Sequence, residues 1–233
     1  MEAGVNDGAG PDWLGWLPAR ILALDVEATG LRERDRIVSL GLVAVEAAAL
    51  TGPAPPLRLC HLVFDPGRRS HARAEALHGY DDWTLRHQDP IDAHLPALAG
   101  LIEAADLVVA HNAAFDLGLL DRELARAGLP PLAVPRYCTW EAYRRRGEKG
   151  RESLAAVCAR FGVARAGPRH GALEDAWLAL RAYLWLQACP VDLPRLDGLT
   201  LPPANLRPVP PRPEGRLPPR SAGASVPVTV SGQ

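Results

Sequence analysis

The sequence predicts an α/β domain whose mixed sheet is flanked by helices, and three observations point to it. Three apolar, strand-like runs come early and are joined by short connections, as in an antiparallel meander. Strand-like and helical segments then alternate through the middle of the chain. The helical stretches carry apolar residues at three- and four-residue spacing, so each has a face to lay against a sheet.

The first strand ends in Asp25-Val26-Glu27-Ala28-Thr29-Gly30-Leu31, after the apolar run Ile21-Leu22-Ala23-Leu24. A charged loop, Arg32-Glu33-Arg34-Asp35-Arg36, leads to a second strand at about 37–46. A third is expected at about 57–64, after the Pro53-Ala54-Pro55-Pro56 turn. Helices are expected at about 72–78, from 81 onward, and at about 93–104, where Leu95, Leu98, Leu101 and Ile102 share a face. A compact strand at about 106–111 precedes an amphipathic helix at about 113–127, stopped by Gly128 and Pro130. A fifth strand at about 134–139 and helices at about 140–146, 153–161 and 171–187 complete the unit.

The 233 residues fit one domain with a tail. Residues 1–11 lack periodicity and read as flexible, 12–190 as the folded domain, and 191–233 as an extended, disordered tail holding ten of the 23 prolines. Trp13, Leu14, Trp16 and Leu17 form a short apolar patch suited to a helical turn. The formal net charge of -1 does not advertise a nucleic-acid binder, but an acidic metal site would cancel part of a basic groove. Cys60, Cys138, Cys158 and Cys189 are dispersed, without zinc-ligand spacing, and read as small core residues in a reducing compartment. The acidic, Gly-rich start does not resemble a signal peptide, and no apolar run is long enough to span a membrane, so the expected location is the cytoplasm.

Side chains alternate along a strand, so Asp25 and Glu27 project from one face at its end. Two such acids repel each other unless a cation sits between them or one stays protonated. Two later segments supply further candidate ligands. His111-Asn112-Ala113-Ala114-Phe115-Asp116 places Asp116 at the start of a helix that leaves a strand end. His170-Gly171-Ala172-Leu173-Glu174-Asp175 places a His on a loop and an Asp inside the next helix. Taken singly, these are equally a strand end meeting solvent, a helix cap and an exposed helical acid. Jointly, three spacings in order form a constellation, which carries more weight than a lone motif.

Here the chain resembles the DEDDh (DnaQ-like) family of 3′–5′ exonucleases, which includes the proofreading epsilon subunit of bacterial DNA polymerase III, ribonuclease T and oligoribonuclease. The family's DxExTG motif stands as Asp25 to Gly30, HNxxFD as His111 to Asp116, and Hx4D as His170 to Asp175. The resemblance covers about residues 20–187. It implies a ribonuclease H-like fold with a five-stranded mixed sheet. It also implies phosphodiester hydrolysis with two divalent cations, Mg²⁺ or Mn²⁺, held by Asp25, Glu27, Asp116 and Asp175. Hard oxygen ligands suit those ions. His170 is implied as the general base, and its imidazole titrates near ~6.5 when unperturbed. Substrate contacts are implied for Thr29, Gly30 and Leu31, for His78 and Gly79, and for Asn112 and Phe115.

The function expected on this basis is metal-dependent 3′–5′ removal of nucleoside 5′-monophosphates from single-stranded or frayed DNA, in proofreading or repair. The partners implied are nucleic-acid 3′ ends and a DNA polymerase subunit. Two alternatives stand beside it: an RNA- or oligonucleotide-trimming exonuclease of the ribonuclease T kind, and a non-hydrolytic polymerase-associated binding module. The run Arg144-Arg145-Arg146 reads as a solvated helix end or as a phosphate contact.

Overall fold

The computed structural model describes residues 11–147, 152–165, 171–191, 193–194 and 203–220. Five strands form one sheet: β1 (Arg20–Ala28), β2 (Ile37–Glu46), β3 (Arg58–Val63), β4 (Leu107–Ala110) and β5 (Arg136–Cys138), in spatial order β3-β2-β1-β4-β5. The meander β1–β2–β3 is antiparallel, whereas β1–β4 and β4–β5 are parallel, so the sheet is mixed. Among the described residues, seven helices accompany it: α1 (Ala72–His78), α2 (Asp82–Leu85), α3 (Leu95–Glu103), α4 (Ala113–Arg126), α5 (Thr139–Arg145), α6 (Leu154–Ala159) and α7 (Ala172–Leu186). A 3-10 turn, Asp12–Trp16, precedes β1 and packs Trp13 on the domain while Trp16 stays exposed.

The alternation of β1 sorts its side chains into two cores. Leu22, Leu24 and Val26 pack with Leu95 and Leu98 of α3 and Leu117 and Leu120 of α4. Ile21 and Ala23 face the opposite layer, where α7 contributes Trp177, Leu180 and Leu184 and α6 contributes Leu154 and Val157. Burying such side chains from both faces stabilises the sheet by about 1.5–3 kcal/mol for each large residue. All four cysteines are free thiols, with Cys158 and Cys189 buried. Among the described residues, no helix is long and apolar enough to cross a membrane.

One segment departs from the expectation based on composition. Residues 203–220, read as part of a disordered tail, are extended but lie against the domain. The Asn205 side chain accepts from the Val63 N–H at 2.8 Å and donates to the Val63 carbonyl at 2.7 Å, imitating a strand partner on edge strand β3. Trp83 Nε1 donates to the Pro210 carbonyl at 2.8 Å, Arg212 pairs with Asp81 at 2.8 Å, and Arg220 with Asp82 at 2.8 Å. Proline suits such a strap, because it fixes φ and lacks the N–H that an unpaired extended segment would leave unsatisfied. The remaining parts of 191–233, apart from 191 and 193–194, and residues 1–10 lie outside the described residues.

Candidate active site

The strand pairing opens the site. β4 accompanies β1 only through the pairs Ile21–Leu107, Leu22–Val108 and Ala23–Val109, so β1 runs on past its parallel neighbour. Asp25 and Glu27 lie on that overhang, in a crevice at the carboxyl end of the parallel strands, where open α/β sheets hold ligands. They share a face with Ile21 and Ala23, the face on which α7 lies, and α7 delivers Asp175 from its first turn. Oxygen atoms of Asp25, Glu27 and Asp175 all lie within 4.8 Å of one another.

Asp116 arrives from the opposite layer, on the first turn of α4. It is almost fully buried, and its Oδ1 accepts the Val26 N–H at 3.1 Å, beyond the last pair of β1 with β4, Ala23–Val109. Asn112, which precedes α4, takes a left-handed conformation (φ 72°, ψ 49°) that asparagine tolerates better than most residues. That turn redirects the chain from β4 into the helix. His111 is fixed by Thr139 Oγ1 at 2.9 Å and the Glu152 carbonyl at 3.0 Å, which ties the strand end to α5 and the segment before α6.

The electrostatics are those of buried, mutually repelling acids. Burial, followed by the charges of Asp116, Asp175 and Glu27, pushes the Asp25 carboxyl well above its ordinary pKa. Burial likewise pushes Asp116 up to about 8, with Glu27 and Asp175 adding to it and the Val26 N–H opposing it. The Arg165 guanidinium, which pairs with Asp175, lowers the Asp25 value only in part. This donor set of clustered carboxylates fits hard divalent cations, which relieve the repulsion that protonation otherwise relieves.

A stability consequence follows. Asp116 and Asp25 have folded-state pKa values above an unfolded value near ~3.9, so the folded protein binds the extra protons between them. The metal-free protein therefore loses stability as pH rises from about 4 to about 8. Millimolar Mg²⁺ or Mn²⁺ should raise Tm little near pH 5 but by roughly 5–10 °C near pH 8. A metal-induced shift that does not grow with pH, measured by differential scanning fluorimetry, would contradict this.

Beside the carboxylates lies a pocket of about 560 Å³ lined by Glu27, Thr29, Gly30, Leu31, Leu77 and Phe115, with several arginines. Leu31 is 87% exposed and lines this pocket. Of the residues anticipated for substrate, Thr29, Gly30, Leu31 and Phe115 line this pocket, whereas His78, Gly79 and Asn112 do not. His78 is buried, with Nε2 3.3 Å from Ser70 Oγ and Nδ1 accepting the Tyr80 N–H at 3.1 Å. Burial drives its pKa down to about 4, so the ring is neutral near pH 7. Gly79 closes α1 at φ 78°, a turn that glycine makes without strain. His170 lies outside the described residues.

Asp35, one acid within a charged loop, carries no motif signal, yet it builds the pocket floor. Its carboxylate accepts from Thr29 Oγ1 at 2.8 Å and from the Arg32 N–H at 2.7 Å. Burial alone would raise its pKa, but these donors and the Arg68 and Arg34 charges outweigh burial and hold it below the usual value. A Cβ on Gly30 would lie 2.6 Å from Asp35 Oδ2, so glycine is required for this closure. Asp35→Ala should loosen the Thr29–Leu31 turn, raising KM roughly tenfold while changing kcat less, as steady-state kinetics on a short single strand would show. An unchanged KM would remove Asp35 from that role.

Comparisons with known proteins identify the family. The exonuclease family model RNase_T matches residues 22–183, most of the chain. The chain belongs to the DEDDh 3′–5′ exonuclease family. DNA polymerase III subunit epsilon of Escherichia coli K12 is 30% identical over 178 residues, covering 71% of this chain and 70% of that protein. The Salmonella typhimurium LT2 epsilon subunit is 31% identical over 179 residues, covering 71% and 70%. Among solved structures, the zinc-bound complex of Escherichia coli exonuclease I with single-stranded DNA aligns with a TM-score of 0.61 at 14% identity, covering 75% of this chain. This chain spans 41% of that exonuclease I chain. A 3′-exonuclease that recognises histone mRNA stem-loop aligns at 0.58 and 15% identity, covering 75% of this chain and 84% of the other. These likenesses confirm the ribonuclease H-like five-stranded fold of a 3′–5′ exonuclease.

Proposed function

We propose that the domain of residues 12–190 removes nucleoside 5′-monophosphates from the 3′ ends of single-stranded or frayed DNA. The observation that carries this reading is the set of three carboxylates within 4.8 Å beside the end of β1, next to a pocket lined by Thr29, Gly30, Leu31, Leu77 and Phe115. Asp25, Glu27 and Asp175, with Asp116 directly or through water, are the residues that would hold Mg²⁺ or Mn²⁺. Two such ions, when bound, supply charge stabilisation for the attacking and leaving oxygens of an in-line displacement. Thr29, Gly30, Leu31 and Phe115 seat the terminal nucleotide, presenting apolar surface to a base rather than base-edge readers, which makes trimming insensitive to sequence. His170, one residue before the turn into α7, takes the proton of the attacking water.

The epsilon subunits among the relatives support DNA as substrate and a polymerase as partner, in proofreading or repair. The stem-loop exonuclease among the structural neighbours keeps RNA trimming as the second reading. One assay separates them: 5′-labelled single-stranded DNA and RNA, incubated with Mg²⁺, Mn²⁺ or chelator. A metal-dependent ladder shortening from the 3′ end of DNA supports the first reading, and a faster ladder on RNA the second. Intact substrates under all conditions would leave a binding module. His170→Ala should lower turnover by about 10²–10⁴ without changing the metal-induced Tm shift; unimpaired turnover would remove His170 from the base role.

A further inference from the structure

We propose that the arginines around the pocket form a second substrate subsite, which holds the phosphates of the strand upstream of its 3′-terminal nucleotide. The inference rests on the exonuclease reading and extends it from the terminal nucleotide to the strand behind it. Five arginines line the pocket: Arg32 and Arg34 from the loop after β1, Arg68 and Arg69 from the segment leading into α1, and Arg73 from the first turn of α1. Two acids line it with them, and neither answers this charge in full. Glu27 belongs to the carboxylate cluster, and Asp35 is engaged by Thr29, the Arg32 N–H and Arg68.

The two segments are clasped together, so the arginines are held in place by the fold. The His71 N–H donates to the Thr29 carbonyl at 2.7 Å, and Arg68 Nη1 donates to the Arg34 carbonyl at 2.6 Å while lying 3.5 Å from Asp35. Arg69 lies 3.5 Å from Asp82. Arg32, Arg34 and Arg73 are exposed and make no ion pair with the described residues. Exposed cations at a pocket mouth that form no ion pair among the described residues are available to an external anion.

The position selects the kind of anion. The arginines line the same pocket as Glu27, so a strand whose terminal phosphodiester lies on the carboxylates would pass its next phosphates over them. The chain as a whole has a net charge of -1, so the positive field is local to this mouth. Guanidinium groups bind phosphate oxygens in bidentate fashion, and a basic groove tracks a single strand without reading its sequence.

The test compares the full chain with its R32Q/R34Q/R73Q variant by fluorescence anisotropy, with 5′-fluorescein oligothymidylates in Ca²⁺ across a salt series. The probes are a dodecamer, which reaches the arginines, and a dinucleotide, which fills the terminal site. The variant should lose about tenfold or more of the dodecamer's advantage over the dinucleotide, and its salt slope for the dodecamer should flatten by about 2, roughly 0.7 for each phosphate contact removed. R32K/R34K/R73K keeps the charges and should keep most of the slope. An unchanged ratio and slope in the glutamine variant overturns the subsite, as does a wild type that binds both probes equally. Hydrolysis of the dodecamer by wild type in Mn²⁺, measured separately, tests the exonuclease reading, so the two failures are distinguishable.

Discussion

Asp25→Ala should abolish metal-dependent 3′ trimming, lowering turnover by at least about a thousandfold, while the protein stays folded and melts higher than wild type when metal is absent. Asp25 sits nearest the centre of the repulsion: burial and the charges of Asp116, Asp175 and Glu27 all act on its carboxyl. Removing it takes one of three closely grouped carboxylates from the site and relieves the remaining acids of a neighbour. Activity and metal-free stability therefore move in opposite directions, which a simple folding defect cannot produce. The same variant should lose most of its Mn²⁺-induced Tm shift near pH 8. Trimming at the wild-type rate, or a lower metal-free Tm, would show that Asp25 is neither a ligand nor a source of strain. Asp25→Asn separates charge from shape: it keeps the side-chain volume and should match alanine in turnover.

The parts of this site legible in the sequence are those fixed by strand alternation and motif spacing. Asp25 and Glu27 share a face because one residue separates them, and the structure puts both on the α7 side of β1. The five strands, their mixed character and the amphipathic helices were legible because apolar periodicity reports directly on burial. Asp116 was legible as a motif residue, but its bond to the Val26 N–H was not, because it depends on where β4 stops pairing with β1. Asp35 and Arg165 were invisible for a different reason. Each is a loop residue whose partner lies several positions away or on another element, and a run of charges looks the same whether solvated or pinned.

The strap of residues 203–220 marks the limit of compositional reasoning. A Pro-rich stretch cannot build a core, and the inference of disorder follows from that. It does not need a core, however, when Asn205 completes edge strand β3 and Arg212 and Arg220 find Asp81 and Asp82 on the preceding domain. Single polar anchors spaced along an extended chain leave no periodic trace. The edge of β3 would otherwise offer unpaired backbone groups to other chains, and Asn205 occupies the Val63 position of that edge.

Gly41→Ala should destabilise the protein by about 2–3 kcal/mol and reduce trimming even though the residue touches no substrate. Gly41 lies directly across from Asp25 in the β1–β2 pairing, on the face that α7 covers. A Cβ there would fall 2.2 Å from both the carbonyl carbon and oxygen of Ala172 and 2.3 Å from the Leu173 nitrogen. All three are backbone atoms in the first turn of α7, so no rotamer change or side-chain truncation relieves the overlap. Alanine recovers roughly 0.5–1 kcal/mol in backbone entropy relative to glycine, less than the steric cost. The helix start must therefore lift, and Asp175, two residues beyond Leu173, moves away from Asp25 and Glu27. For a chain of this size the stability loss corresponds to a Tm lower by roughly 4–12 °C. The displacement should also weaken Mn²⁺ binding, read as a smaller metal-induced Tm shift near pH 8. Ala172→Gly in the same chain should not rescue either property, because the clash is with backbone. A Gly41→Ala protein with wild-type Tm and turnover would show that α7 does not rest on β2 as closely as this geometry requires.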